Sequence, residues 1–440
     1  MLKRNGNTWL GKLLVPALIG AMLMAGCGNA SGAGNDGAAA SSAQSAGAVS
    51  TDSTAAEDTG SAKAPELPGL TFESELPIEH ATMFRVYYYS DGFKLIDITD
   101  SGEFLLVPEG KEVPEELEAA MEDGTLGESA GAAADGDETT ESGVLDGTLT
   151  VIRQPVDSVY QAASAGMSLI DAIDAMDHVS MCSVDENGWY IDAPRKALAD
   201  GSISFGGKYS QPDYEMLIDK DCDLAIESTM ILHAPDVMEM IEDLDIPVMI
   251  ERSSYEMDPL GRTEWVKLYG ALFNKEEEAA AFFEEKTASL KNLEGMKNSG
   301  KTVAFFAVNT NGTVVVRKSD DYIPHMIETA GGRYIFEDLK SEEGSASTTV
   351  NMSMEEFYAA AVDADYLVYN ATIEDPLGSV DDLVAKDKIF AEFKAVQDGN
   401  VYQLSKAAYQ ATDAMADQIL DLHDMLDGGD GGEYISKVGA

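Results

Sequence analysis

From Val179 onward the chain alternates short apolar runs with helix-period stretches: Val179–Ser183, Ile203–Phe205, Leu224–Ile226, a helix around Pro235–Leu244, Pro247–Ile250, and a helix from Leu260 to Phe273. Strands separated by helical crossovers pack as parallel neighbours with helices on the sheet faces, because each strand must return to the edge where the last one began. The rhythm then breaks for Lys275 to about Leu293 (KEEEAAAFFEEKTASLKNL), an amphipathic helix pattern ended by Gly295 and Asn298-Ser299-Gly300. It resumes at Thr302–Val308 and runs through Thr313–Val316, the helix Tyr322–Ala330, the Gly331-Gly332 stop and the helix Met354–Val362. Strands at Tyr366–Tyr369 and Val401–Leu404 follow, then a helix from about Asp413 to Leu426. The expected fold class is α/β: two lobes, each with a mostly parallel central sheet flanked by helices, joined by one long connecting helix.

Upstream, Met83–Tyr89, Phe93–Ile98 and Phe104–Val107 are β-type runs separated by Asp-Gly and Ser-Gly turns, which predicts an antiparallel meander. The acidic stretch from about Glu115 to Gly143 reads as a disordered surface-loop insertion. Further upstream, the twelve apolar residues Leu13 to Met24 follow Lys3, Arg4 and Lys12 and run into Ala25-Gly26-Cys27. Such a run is short of the roughly 20 residues that span a bilayer and reads as a secretory signal cut before a lipid-bearing cysteine, Cys27. Gly28 to Ala64 is almost entirely Gly, Ala, Ser, Thr and Asp, too polar to bury a core, and is expected as a flexible tether. The layout is thus a signal over 1–26, lipidated Cys and tether over 27–64, and a first lobe over 65–273 with the insertion at 115–143. A connecting helix over 274–297, a second lobe over 298–427 and a flexible tail over 428–440 complete it.

With 79 acidic residues against 29 basic ones and a net charge of -50, the general surface repels nucleic acid and anionic lipid. Beyond Cys27 only Cys182 and Cys222 remain, in apolar strand-like contexts, and they read as small buried side chains. The histidines His80, His178, His233, His325 and His423 are scattered without the spacing of a zinc site. Gly32 to Gly37 matches a dinucleotide-binding pattern and Gly127 to Gly131 a nucleophile elbow, but neither follows a strand or opens a helix.

Ligands of open α/β sheets bind beyond the carboxyl ends of the strands. Those positions hold Trp189 and Tyr190, Lys208 and Tyr209, Glu227, Arg252 and Tyr255 in the first lobe. The second lobe offers Asn309, Arg317, Asn370, Lys406 and Tyr409, with Arg262 and Arg333 near the same loops. In so acidic a chain, locally concentrated arginines point to an anionic or oxygen-rich ligand, and the flanking aromatics to flat apolar contact. Arg252 and Arg317 carry most of that expectation. The opposing reading is plain ion pairing: Arg252 with Glu251 or Glu256, Arg262 with Glu264, Arg317 with Asp320 or Asp321.

The chain resembles the substrate-binding lipoproteins of ABC importers, in particular those that bind iron–siderophore, haem and vitamin B12. Tyr209-x-x-Pro212-Asp213-Tyr214-Glu215 is similar to the family's helix start P-N-x-E, and Cys222-Asp223-Leu224-Ala225-Ile226 stands where P-D-L-V-I is usual. Leu244 to Val248, Ala330 to Phe336 and Ser353 to Phe357 resemble three further marks in the family's order. Glu251 to Trp265 is more like a Gram-positive subgroup named as iron-complex binders. The resemblance implies a monomeric, non-enzymatic binding protein without a cofactor, lipid-anchored on the extracellular face of the cell membrane. It would deliver an iron complex or macrocycle to an ABC permease and its ATPase. It also implies that Glu215 and Glu355, one per lobe, dock the permease; Ser353-x-x-Glu356 forms a capping box that leaves Glu355 free. Two alternative functions are a manganese- or zinc-binding lipoprotein of a metal importer and a tethered hydrolase.

Overall fold

The three inner strands of the N-terminal sheet each feed two cores at once. The computed structural model describes residues 64–124, 126, 149–293, 295–341 and 347–439, which belong to one compact unit; Cys27, the signal and the tether up to residue 63 lie outside them. Strands β1 (Phe72–Glu75), β2 (Phe84–Tyr89), β3 (Lys94–Ile98) and β4 (Gly102–Val107) pair antiparallel, and β5 (Thr150–Arg153) joins parallel to β4. Side chains of a strand alternate between faces, so Phe84, Val86, Ile96 and Phe104 enter the core shared with the first lobe. Tyr87, Tyr89, Leu95 and Leu105 face a smaller core on the other side.

That second face is covered by a helix where a disordered insertion was expected. Helix α1 (Glu115–Asp123) has Glu115, Glu116 and Glu118 in its first turn, buries Leu117, and stops at Gly124 in the left-handed region. The acidic composition that suggested disorder instead complements the helix dipole, and one leucine suffices to seat it. The rest of the expected insertion, except Leu126, lies outside the described residues.

The first lobe runs β6 (Val159–Gln161), α2 (Gly166–Ala172), β7 (Val179–Cys182), α3 (Asp192–Asp200) and β8 (Ser204–Phe205). A small hairpin, β9 (Gly207–Lys208) with β10 (Gln211–Pro212), leads to α4 (Tyr214–Asp219), β11 (Leu224–Ser228), α5 (Pro235–Glu242) and β12 (Val248–Glu251). Its sheet is wholly parallel in the order β12-β11-β6-β7-β8. The chain leaves β6 toward one edge and returns to the other, so the order reverses between β6 and β11. Cys182 and Cys222 are both buried and free.

Helices α6 (Pro259–Glu264) and α7 (Val266–Phe273) follow, α7 buried along its whole length, and Asn274 in the left-handed region turns the chain into α8 (Glu276–Ser289), which leads to the second lobe. There β13 (Thr302–Val308), β14 (Val314–Arg317), α9 (Tyr322–Thr329), β15 (Arg333–Tyr334), β16 (Thr349–Met352) and α10 (Met354–Ala361) are followed by β17 (Tyr366–Asn370). Next come α11 (Val380–Lys386), α12 (Lys394–Asp398), β18 (Val401–Leu404), α13 (Met415–Leu426) and β19 (Ile435–Lys437). Parallel β13, β17 and β18 form the centre, β14 and β16 extend it antiparallel, and β15 lies beside the start of β13. The expected flexible tail is instead a strand: β19 pairs antiparallel with β18, buries Ile435, and its entry is fixed by Asp421, whose carboxylate accepts from the Tyr434 and Ile435 N–H groups at 2.8 and 3.0 Å. The glycines that looked like an ending are the turns that let the chain double back, with Gly428 and Gly431 at φ 90° and 78°.

Candidate functional site at the lobe boundary

The carboxyl-end loops of the two sheets meet. Gln410, fully buried in the second lobe, accepts from the Tyr190 N–H at 2.7 Å and donates to the Gly188 carbonyl at 2.9 Å, both in the loop after β7. The same amide donates to the Tyr409 hydroxyl at 2.9 Å. The rings of Tyr190 and Tyr409 are thereby held edge to face, 6.4 Å between centroids, with the Lys406 ammonium 5.7 Å from the Tyr190 centroid. Nearby, Thr263 donates to the Thr412 carbonyl at 2.9 Å, the Asp413 N–H reaches Ser168 at 3.3 Å, and Lys286 of α8 pairs with Asp417 at 2.6 Å.

Among the described residues, eight of the twelve large apolar side chains left exposed lie at carboxyl strand ends or in the segments that follow them: Tyr190, Phe205, Met230, Leu232, Tyr255, Met257, Ile373 and Tyr409. Exposed apolar surface concentrated in one region marks a binding surface rather than the scatter normal for a soluble protein. Beneath it lie two buried acids. Glu227, next to last in β11, has no exposure and no hydrogen-bond partner for either carboxyl oxygen among the described residues, and burial pushes its pKa up to about 8. Glu251 ends β12; burial pushes it up to about 7, against the opposing pull of the Ser253 N–H, which donates to it at 3.0 Å, and of the Arg262 charge.

The arginines expected to hold an anion are committed within the protein. Arg252 reaches the β3–β4 turn, donating to the Thr99 carbonyl at 2.7 Å and pairing with Asp100 at 2.9 Å, while its guanidinium lies 4.9 Å from the Tyr255 centroid. Arg317 pairs with Asp321 at 3.3 Å and reaches Thr348; burial works against its charge, and the Asp321 carboxylate more than offsets that, raising its pKa. Arg262 donates to the Glu256 and Ser254 carbonyls at 3.0 and 2.5 Å and lies 3.6 Å above the Tyr322 ring of the second lobe, where burial lowers its pKa. Arg262 and Arg317 are thus close neighbours across the boundary, bridged by Tyr322 and Asp321.

Two expected contacts lie elsewhere. Trp189 is a core residue whose indole N–H donates to the Val184 carbonyl at 3.0 Å. Arg333 sits on β15 beside the amino end of β13, at the opposite pole of the sheet, and pairs with Glu337 at 3.4 Å. Tyr209 lies in the β9–β10 hairpin, half-buried. Glu215 and Glu355 are exposed in the first turns of α4 and α10, and Ser353 with Glu356 forms the expected capping box. Gln410 and the apolar residues Phe205, Met230, Leu232, Met257 and Ile373 bear no charge, and nothing in their sequence context sets them apart from core or surface positions. Among the described residues, no three His, Cys, Asp or Glu side chains converge as a metal donor set.

A family model described as periplasmic binding protein matches residues 164–408, more than half of the chain. An uncharacterized lipoprotein of Methanocaldococcus jannaschii is 28% identical over 296 residues, 64% of this chain and 68% of the relative. A second uncharacterized protein of that organism is 28% identical over 213 residues, 47% of this chain and 58% of its own length. Among solved structures, a periplasmic heme binding protein from Pseudomonas aeruginosa superposes with a TM-score of 0.49 at 15% identity, covering 65% of this chain and 99% of that one.

Proposed function

Because the chain belongs to the periplasmic binding protein family, we propose that it is the extracytoplasmic binding subunit of an ABC importer and takes an iron complex or related macrocycle between its lobes. The observation that carries this reading is the exposed apolar surface gathered on carboxyl-end loops, with Tyr190 and Tyr409 paired across the boundary. A surface of rings, thioethers and aliphatic tips, with a few fixed polar groups, suits a large ligand with apolar faces. With the arginines internally paired, orientation falls to Tyr190, Tyr409 and Tyr255, and to Lys406 where its ion pair with the exposed Asp375 (3.3 Å) leaves the ammonium beside the rings, rather than to Arg252 and Arg317. The ligand is bound and released unchanged. In the same reading Cys27 carries the lipid anchor, and Glu215 and Glu355 present one carboxylate per lobe to the permease.

The test is the mass and visible spectrum of what co-purifies with the protein, followed by titration with haemin, a ferric siderophore and cobalamin. Saturable one-to-one binding of one of them, weakened at least tenfold by Tyr190→Ala or Tyr409→Ala, is expected. Failure of all three, together with a co-purifying ligand of another class, overturns the ligand assignment.

A further inference from the structure

A cavity of about 910 Å³ lies between the connecting helix and the amino ends of the second-lobe strands, at the opposite end of that sheet from Tyr409. The position follows from its lining: Ser299 and Gly331 precede β13 and β15, which start side by side at that pole. Its volume falls in the range, roughly 300–1,000 Å³, of sites that take small organic ligands. The floor is apolar, with Phe283, Leu290, Leu293 and Leu426 all buried.

The electrostatics of this cavity are set by helix ends. Leu290, Ala330 and Asp427 are the C-cap residues of α8, α9 and α13, and all three line it. Each helix C-terminus carries a partial negative charge of about half an elementary unit, so three of them direct negative potential into one space. The protein already answers two of these ends: Lys301 donates to the Leu426 carbonyl, and His423 contacts the Ala330 carbonyl at 3.0 Å. The rim adds Glu79, Glu284 and Glu328 against Lys291 and Lys297; Lys267 is neutralised by Glu264 at 2.7 Å, Asp427 lies 3.7 Å from His423, and His80 is paired with Asp258 at 2.7 Å. Phe283 already accepts one cation on its ring face, the Lys267 ammonium 4.6 Å from the centroid.

From this combination of apolar floor, three converging helix C-termini and the rim carboxylates Glu79, Glu284 and Glu328, we propose that the cavity binds an amphipathic organic cation: an ammonium group on a hydrocarbon or aryl body. Residues of the first lobe (Leu260), the connecting helix (Ala280, Thr287) and the second lobe (Thr329) all line it, so an occupant there contacts both lobes and the element between them. The proposal is independent of what the lobe boundary binds.

The experiment is calorimetric titration of the full chain with 4-phenylbutylammonium and, separately, with its anionic counterpart 4-phenylbutyrate. One saturable site for the cation is expected, with the anion at least tenfold weaker. Ala280→Trp, which fills the cavity from the exposed side of α8, and the double variant Glu284→Gln/Glu328→Gln are each expected to weaken the cation at least tenfold. Tyr409→Ala, at the other pole, should leave it unchanged. Equal binding of cation and anion, no saturation by the cation, or full affinity in both cavity variants overturns the proposal. The double variant changes only exposed side chains and keeps the test decisive if Ala280→Trp folds poorly.

Discussion

Glu227 shows how far one side chain can be driven by its surroundings. It lies in the central region of a parallel sheet with neither oxygen bonded among the described residues, so the charged form loses its hydration without compensation and the carboxyl stays protonated up to about pH 8. Its folded pKa exceeds the ordinary value of 4.5, so between those values the native state holds a proton that the unfolded chain releases. The contribution to stability is therefore complete below about pH 4.5 and is lost as pH rises through 8, by roughly 4–5 kcal/mol in all. Glu227→Gln removes the titration while keeping a neutral side chain of similar shape. Urea denaturation of both proteins at pH 5, 7 and 9 should show the variant gaining on the parent by several kcal/mol across that range. A constant difference at all three pH values would mean that Glu227 does not titrate there.

At the scale of elements, the N-terminal sheet is held to the first lobe by acids of one short stretch. Glu264, fully buried, accepts from the Glu79, His80 and Ala81 N–H groups at 2.9, 2.6 and 2.7 Å and from Lys267 at 2.7 Å. Glu256 accepts from Thr82, Met83 and the Trp265 indole, and Asp258 pairs with His80 at 2.7 Å. Glu264→Ala strands three backbone donors and a buried ammonium and should destabilise the protein by about 3–5 kcal/mol. Limited proteolysis should then cut within 64–83, where the parent resists; an unchanged denaturation midpoint would refute the anchoring role. These contacts explain what the sequence could and could not disclose. The Glu251 to Trp265 stretch stood out, yet the N-terminal partners of Glu256, Asp258 and Glu264 lie more than 170 residues upstream, so no local pattern revealed them. The βα rhythm was legible because Leu224, Ile226, Val303 and Phe305 repeat at strand spacing against helices with clear stops. Strand β6 was not, since Val159–Gln161 is three residues long and its last one is a glutamine, and with it the reversal point of the sheet was missed. Trp189 was misplaced because sequence position fixes the loop but not which way an indole turns.

On the scale of the whole molecule, the lobes are fastened at their boundary by side chain to backbone contacts. Gln410→Ala leaves the Tyr190 N–H and Gly188 carbonyl without their partners, at a cost of about 1–3 kcal/mol for each group that stays buried. The loop that loses them carries Trp189, so the tryptophan emission of the variant should shift to the red and its scattering radius increase. Identical spectra and radii would show that the lobes stay together without this amide. Charge reversal at Glu215 and Glu355 together should abolish ligand uptake by cells without changing ligand affinity, and uptake at the parent rate would refute docking through them.

Strand β6 has one more consequence. It is the middle strand of the first sheet, yet residue 164, where the family-wide pattern begins, lies just past its end; residue 408, where that pattern ceases, precedes Gln410, α13 and β19. The matched span is therefore shorter than the unit that folds here. A fragment cut at 164 and 408 would be a sheet without its keel and a second lobe missing a helix that buries Met415, Ile419, Leu422 and Met425. It should collect in inclusion bodies, whereas residues 64–440 should express as a soluble, cooperatively unfolding protein.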